Sequence, residues 1–148
     1  MITQLEVLLV EDNPADAELT ICALKERNFA NNLVHVWDGQ AALDFLFCAG
    51  AHAGRDAKQQ PKVVLLDLKL PKVDGISVLR QLRANESTKS VPVVALTSSR
   101  EDRDVIETYN LGVNSYIVKP VNFENFAETV SSLGMYWLLL NESPIAKP

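Results

Sequence analysis

The chain has 148 residues, 47% of them apolar and 22% charged, which suits one domain with a substantial core and excludes bulk disorder. Its 14 basic and 19 acidic residues leave a formal net charge of −5, and that balance argues against nucleic-acid binding, where clustered Lys and Arg neutralise phosphates. No apolar run approaches the ~18 residues of a membrane span, and the N-terminus lacks a basic region followed by an apolar one, so a cytoplasmic protein without membrane contact is expected.

In chain order, β-branched apolar runs alternate with amphipathic stretches, the rhythm of βα units on a parallel sheet. The first strand is expected over Leu5–Val10 and is followed by Glu11-Asp12. A helix opens next, with Asn13 as N-cap, Pro14 at the first helical position and Asp16 and Glu18 near its positive end. Its apolar face reads Ala17, Ile21, Leu24, and Cys22 is expected to be a small buried hydrophobe, as is Cys48 further on. Leu33–Trp37 reads as the second strand, with His35 in a structural role, and Gly39–Cys48 as the second helix. Ala49 to Pro61 is longer than the usual connection in an α/β unit and reads as an exposed loop.

Lys62–Leu66 forms the expected third strand, ending at Asp67, and Ile76–Ala84 the third helix. Val91–Leu96 follows as the fourth strand, ending at Thr97, then a helix over Glu101–Asn110 that stops before Gly112. The fifth strand, Ser115–Val118, runs into Lys119-Pro120. After Asn122, Phe126, Val130, Leu133 and Trp137 keep helical spacing. The expected core is about 5–137 of a single domain spanning 1–148, with an apolar C-terminal extension over about 133–142. In that extension Tyr136, Leu138, Leu139 and Leu140 add apolar residues beyond what one helix face can bury, so an exposed patch and a two-fold homodimer are expected.

In a doubly wound sheet the functional crevice lies outside the carboxyl ends of the strands. Glu11, Asp12 and Asp67 all stand there. Three carboxylates brought together repel one another unless a cation is present, and a hard divalent ion such as Mg²⁺ suits oxygen ligands. Thr97 adds a hydroxyl at the same edge and Lys119 an ammonium. An acidic metal cluster with a hydroxyl and a cation is equipped for phosphoryl transfer, with one aspartate as the attacking group.

The order Glu11-Asp12, Asp67, Thr97, Lys119-Pro120, with the run Asp67-Leu68-Lys69-Leu70-Pro71-Lys72-Val73-Asp74-Gly75, resembles the response-regulator receiver domains of two-component signalling. The resemblance implies a flavodoxin-like (βα)5 fold, a doubly wound five-stranded parallel sheet in the order 2-1-3-4-5. It implies that Asp67 accepts a phosphoryl group from a sensor histidine kinase, with Asp12, Asp67 and the backbone carbonyl of Lys69 as Mg²⁺ ligands and Glu11 acting through water. Thr97 and Lys119 would contact the phosphoryl oxygens, the Lys119-Pro120 peptide would be cis, and Tyr116 would be the aromatic partner of Thr97 in a switch. Output would pass through the surface of the fourth helix, fifth strand and fifth helix to a downstream protein target or phosphotransfer protein. The long loop after the second helix and the segment Leu133–Glu142 resemble those of small stand-alone response regulators paired with bacterial and cyanobacterial phytochromes, so a phytochrome is an expected kinase partner.

Other readings fare worse. A haloacid-dehalogenase-type phosphatase requires a second acid two residues after the nucleophile, where this chain has Lys69. A flavodoxin-like cofactor module would need a Gly-rich phosphate cradle in place of Glu11-Asp12-Asn13-Pro14. The remaining alternative is a pseudo-receiver that docks or dimerises without phosphorylation. No enzyme activity is expected beyond the domain's own phosphoryl transfer and dephosphorylation.

Overall fold

The structure is a computed structural model that describes residues 7–25, 32–98 and 110–134. Five strands, β1 (Val7–Val10), β2 (Leu33–Val36), β3 (Val63–Asp67), β4 (Val93–Thr97) and β5 (Ser115–Val118), form one sheet in the order β2-β1-β3-β4-β5. Every neighbouring pair is parallel. Four helices are described: α1 (Pro14–Lys25), α2 (Gly39–Leu46), α3 (Gly75–Ala84) and α4 (Phe123–Ser132). This last helix is the one expected fifth from the sequence, because most of the expected fourth helix and the extension bearing Tyr136, Leu138, Leu139 and Leu140 lie outside the described residues. The flavodoxin-like order expected from the resemblance is the order found.

Strand alternation builds two cores. Leu8, Val10, Val64, Leu66, Val93 and Ala95 face α2 and α3, where they meet Leu46, Val78, Leu79 and Leu82. Val7, Leu9, Val63, Leu65, Val94, Leu96 and Ile117 face the other way, onto Leu24, Phe126 and Val130 of α1 and α4. All residues of β1 and β3 are buried because helices cover both faces, which is why these strands read as continuous aliphatic runs.

Helix ends follow local chemistry. Asn13 Oδ1 accepts from the Asp16 N–H at the start of α1, Asp38 caps α2, Asp74 caps α3, and Asn122 and Asn125 exchange side-chain and backbone bonds in a capping box on α4. Strand limits shift by up to two residues from expectation. β3 and β4 run on through Asp67 and Thr97, and α2 closes at Leu46 rather than Cys48, which sits at φ 55° beyond the helix.

Two expectations are corrected. Cys22 is exposed and Cys48 half-buried. On α1 the buried positions are Ala17, Thr20 and Leu24, and Cys22, two residues beyond Thr20, points away from that stripe. The segment from Ala49 to Pro61 is mostly exposed, as expected, but it is also organised: it contains a 3₁₀ turn over Gly50–His52. Its anchor is Arg55, which donates to the carbonyls of Phe45 and Gln59 and stacks over the Phe45 ring at 3.8 Å.

Candidate functional site

The sheet reverses its winding between β1 and β3, and the carboxyl ends of these neighbours carry Glu11-Asp12 and Asp67. Alternation decides which way they face. Glu11 and Asp67 continue the parity of Leu9 and Leu65, and Lys119 that of Ile117, so all three fall on the face covered by α1 and α4. Thr97 shares its parity with Ala95, and Tyr116 packs on that opposite face.

A cavity of about 220 Å³ opens at this edge, lined by residues that include Glu11, Asp12, Asp67, Lys69, Thr97 and Lys119. The structure thus brings together all the expected acidic, hydroxyl and ammonium residues. Tyr116 does not line it. Tyr116 is half-buried on β5, its side chain packs with the core under α2 and α3, and the residue borders a separate pocket with Asn125, Glu128 and Thr129. Asp67 is 4% exposed and Glu11 1%, while Asp12 is exposed.

Carboxylate oxygens of Glu11, Asp12 and Asp67 lie within 4.8 Å of one another. This all-oxygen donor set, part buried and part open to water, fits a hard divalent cation. The Lys119 ammonium is held at 2.9 Å from Asp67 Oδ2 and 3.0 Å from Glu11 Oε1. Burial pushes the Glu11 carboxyl up to about 7, helped by its proximity to Asp67 and opposed by Lys119 and the Asn13 N–H. Burial also disfavours the charged form of Lys119, yet the Asp67 and Glu11 carboxylates outweigh it and raise its pKa, so the amine stays protonated.

Backbone geometry fixes Asp67. Lys69 N–H donates to Asp67 Oδ1 at 2.9 Å, and Leu68 N–H to the Leu96 carbonyl at 3.2 Å. The chain then doubles back so that Gly75 N–H reaches the Leu68 carbonyl. A Cβ on Gly75 would lie 2.4 Å from the Asp67 carbonyl oxygen and 2.6 Å from Leu68 Cα, both backbone atoms that cannot swing aside. Gly75→Ala is therefore expected to cost about 1–3 kcal/mol in urea denaturation and to weaken Mg²⁺ binding by displacing Asp67; unchanged values of both would show that the loop yields freely.

Further neighbours complete the site. His35 Nε2 lies 2.8 Å from the Glu11 carbonyl, so its ring braces the end of β1, and it meets the exposed Trp37 ring at a tilt of 43°. The expected cis peptide is present at Lys119-Pro120. One residue escaped the sequence reading in its full role: Asp16, taken as a helix-dipole acid, places Oδ2 at 3.2 Å from Lys119 Nζ. Its place in the first turn of α1, at the edge of the expected crevice, was the available signal.

A 2-1-3-4-5 parallel sheet with a buried aspartate, an acidic cluster suited to a divalent cation and a tethered lysine at its switch point has the architecture of a doubly wound phosphoacceptor module. The chain belongs to the response regulator receiver domain family, which matches residues 7–131. Receiver domains are the phosphoacceptors of two-component signalling, are phosphorylated by histidine kinases and bind Mg²⁺ or Mn²⁺ at an acidic pocket. The chain is 44% identical over 138 residues to the "Probable methanogenesis regulatory protein FilR2" of Methanothrix harundinacea, covering 93% of this chain and 86% of the relative. It is 39% identical over 132 residues to "Response regulator Rcp1" of Synechocystis, covering 89% and 88%. Among solved structures it resembles the "Bacteriophytochrome response regulator RtBRR", with a TM-score of 0.85, 47% identity and coverage of 96% and 85%. The Mn²⁺-bound form of Rcp1 gives 0.73, 38%, and 93% and 97%. The phosphorylated cyanobacterial phytochrome response regulator RcpA gives 0.75, 34%, and 96% and 99%.

Proposed function

We propose that this receiver takes a phosphoryl group on Asp67 from a phosphohistidine of a sensor histidine kinase, the kinase being of the phytochrome type, and acts in the cytoplasm. The observation that carries this reading is the setting of Asp67: 4% exposed, with an ammonium at 2.9 Å on one oxygen and a backbone N–H at 2.9 Å on the other. An Asp67 carboxylate oxygen forms the new bond to phosphorus as the phosphorus–nitrogen bond breaks, and the imidazole leaves with that electron pair. Asp12, Asp67 and the Lys69 carbonyl would hold Mg²⁺, with Glu11 acting through water. Bound Mg²⁺ supplies charge neutralisation at the phosphoryl oxygens.

Lys119 faces the same oxygens with a second positive charge, and Thr97, buried at the cavity wall, offers its hydroxyl. Thr97 and Tyr116 share a sheet face, which supports a switch in which movement of the threonine toward the phosphoryl group frees space for the ring. The changed surface around β5 and α4 would address a downstream protein target or phosphotransfer protein. The phytochrome-type kinase is inferred from similarity to RtBRR and RcpA. A homodimer through Tyr136, Leu138, Leu139 and Leu140 belongs to the same proposal.

Intact mass after incubation with acetyl phosphate tests the central step. A phosphoryl adduct is expected on the wild type with Mg²⁺, lost on adding EDTA and absent from Asp67→Asn. With Mg²⁺ binding verified and rapid hydrolysis excluded by quenched early time points, failure of the wild type to label would overturn the proposal in favour of a docking module that works without phosphorylation.

A further inference from the structure

We propose that Asp16 is a positioning residue for Lys119, giving the ammonium an anchor outside the cation-binding set and so keeping it beside the phosphoacceptor when Glu11 and Asp67 turn their oxygens to a divalent cation. The inference rests on the phosphoacceptor reading above and adds a residue to it. An ammonium has three N–H donors, and Lys119 has three carboxylate acceptors: Asp67 at 2.9 Å, Glu11 at 3.0 Å and Asp16 at 3.2 Å. Two of these, Glu11 and Asp67, also belong to the cluster whose oxygens lie within 4.8 Å of one another. Asp16 does not. Cation binding therefore competes for two of the lysine's partners and leaves the third untouched.

Asp16 is well placed to serve as that anchor. Its N–H donates to Asn13 Oδ1 at 3.0 Å, and its carbonyl accepts from Thr20 Oγ1 at 2.9 Å, so the backbone is held from both sides. The carboxylate stands in the first turn of α1, where the helix dipole favours negative charge. Its side chain is 36% exposed, against 1% for Glu11 and 6% for Asp67, so it stands at the open rim of the cavity, apart from the buried acids. Without Asp16, the lysine can pair only with carboxylates that the cation also needs. It then contends for both of them, and the site has lost one negative charge besides.

Titration calorimetry with MgCl₂ on the full chain, at pH 8 and fixed ionic strength, tests this without any phosphorylation step. The proteins are wild type, Asp16→Asn, Asp16→Glu, Lys119→Met and the Asp16→Asn/Lys119→Met double variant, with Glu18→Gln as a control for loss of an exposed acid on the same helix. Asp16→Asn is expected to weaken Mg²⁺ binding by roughly three- to tenfold in the wild type, but by at most about twofold beside Lys119→Met, because the effect passes through the lysine. Asp16→Glu restores most of the affinity, and Glu18→Gln changes it by less than about twofold. An equal loss in both backgrounds would overturn the proposal, showing Asp16 to act only as a through-space charge, and so would no loss in either. Absence of Mg²⁺ binding by the wild type would instead strike the phosphoacceptor reading itself.

Discussion

Lys119→Met is expected to bind Mg²⁺ roughly tenfold or more tightly than the wild type while taking up phosphoryl groups from acetyl phosphate more slowly. The ammonium occupies oxygens of Asp67 and Glu11 that the proposed cation would need. Even at the dielectric of water a unit charge about 4 Å from a divalent one is worth about 2 kcal/mol, and about 1.4 kcal/mol is a factor of ten. The gain should depend on pH. Lys119 helps to hold down the Glu11 carboxyl, which already stands at about 7, so its loss raises that pKa further and lets protons compete with the cation. Affinity of the variant should therefore rise more steeply than that of the wild type between pH 6.5 and pH 8.5, by calorimetry. Slower labelling would follow because no side-chain cation faces the incoming phosphoryl oxygens. Weaker Mg²⁺ binding by the variant across that range would refute this electrostatic account of the site.

Phe126→Ala should cause the largest loss of stability among single core truncations, about 3–5 kcal/mol of a total that for domains in general is only about 5–15 kcal/mol. Among the described residues Phe126, 0% exposed, heads the fully buried side chains by volume. It lies in the core that joins α4 to Leu9, Leu65, Leu96 and Ile117 of the sheet. Removing the ring leaves a void that rigid strands cannot close, since three of those partners are held in central strands bonded on both sides. A urea midpoint shift at unchanged slope measures the cost. For comparison, Leu19→Ala on the exposed side of α1, where Leu19 is 56% exposed, should change stability by no more than about 0.5 kcal/mol. Equal effects of the two substitutions would contradict the assignment of this core. The same ring also supports the site, because α4 begins three residues beyond the Lys119-Pro120 peptide and covers the face on which Asp67 and Lys119 meet.

Much of this protein could be read along the chain because its decisive patterns are local. Four-residue aliphatic runs such as Val7–Val10 and Val63–Leu66 need cover on both faces, which helices above and below a parallel sheet supply. The acids and the lysine stand at or just beyond strand ends, so their place at one sheet edge came with the strand assignment. The choice of partner within that edge is also partly encoded. Alternation along each strand separates Glu11, Asp67 and Lys119 from Thr97 and Tyr116 once the registers align them, with Asp67 opposite Leu96 rather than Thr97 and Tyr116 opposite Ala95. The strand order itself was available only through the family resemblance, since adjacency of β1 and β3 leaves no local mark in either strand.

Tertiary structure decided what depends on distances between segments remote in the chain. Asp16 looked like a helix-dipole acid until the sheet brought Lys119, 103 residues away, to 3.2 Å from its carboxylate. The buried state expected for Cys22 failed because the rotation of α1 about its axis turns Ala17, Thr20 and Leu24 inward. Arg55 looked like one more polar loop residue, yet its guanidinium reaches back over Phe45 and ties the loop to α2. The need for glycine at position 75 likewise arises from the approach of the Asp67 carbonyl rather than from an unusual dihedral angle. Hydrophobic periodicity and capping act over a few residues and are written in composition and spacing. Ion pairs, ring contacts and close backbone approaches form only after the helices have settled on the sheet, and their geometry is set by that packing.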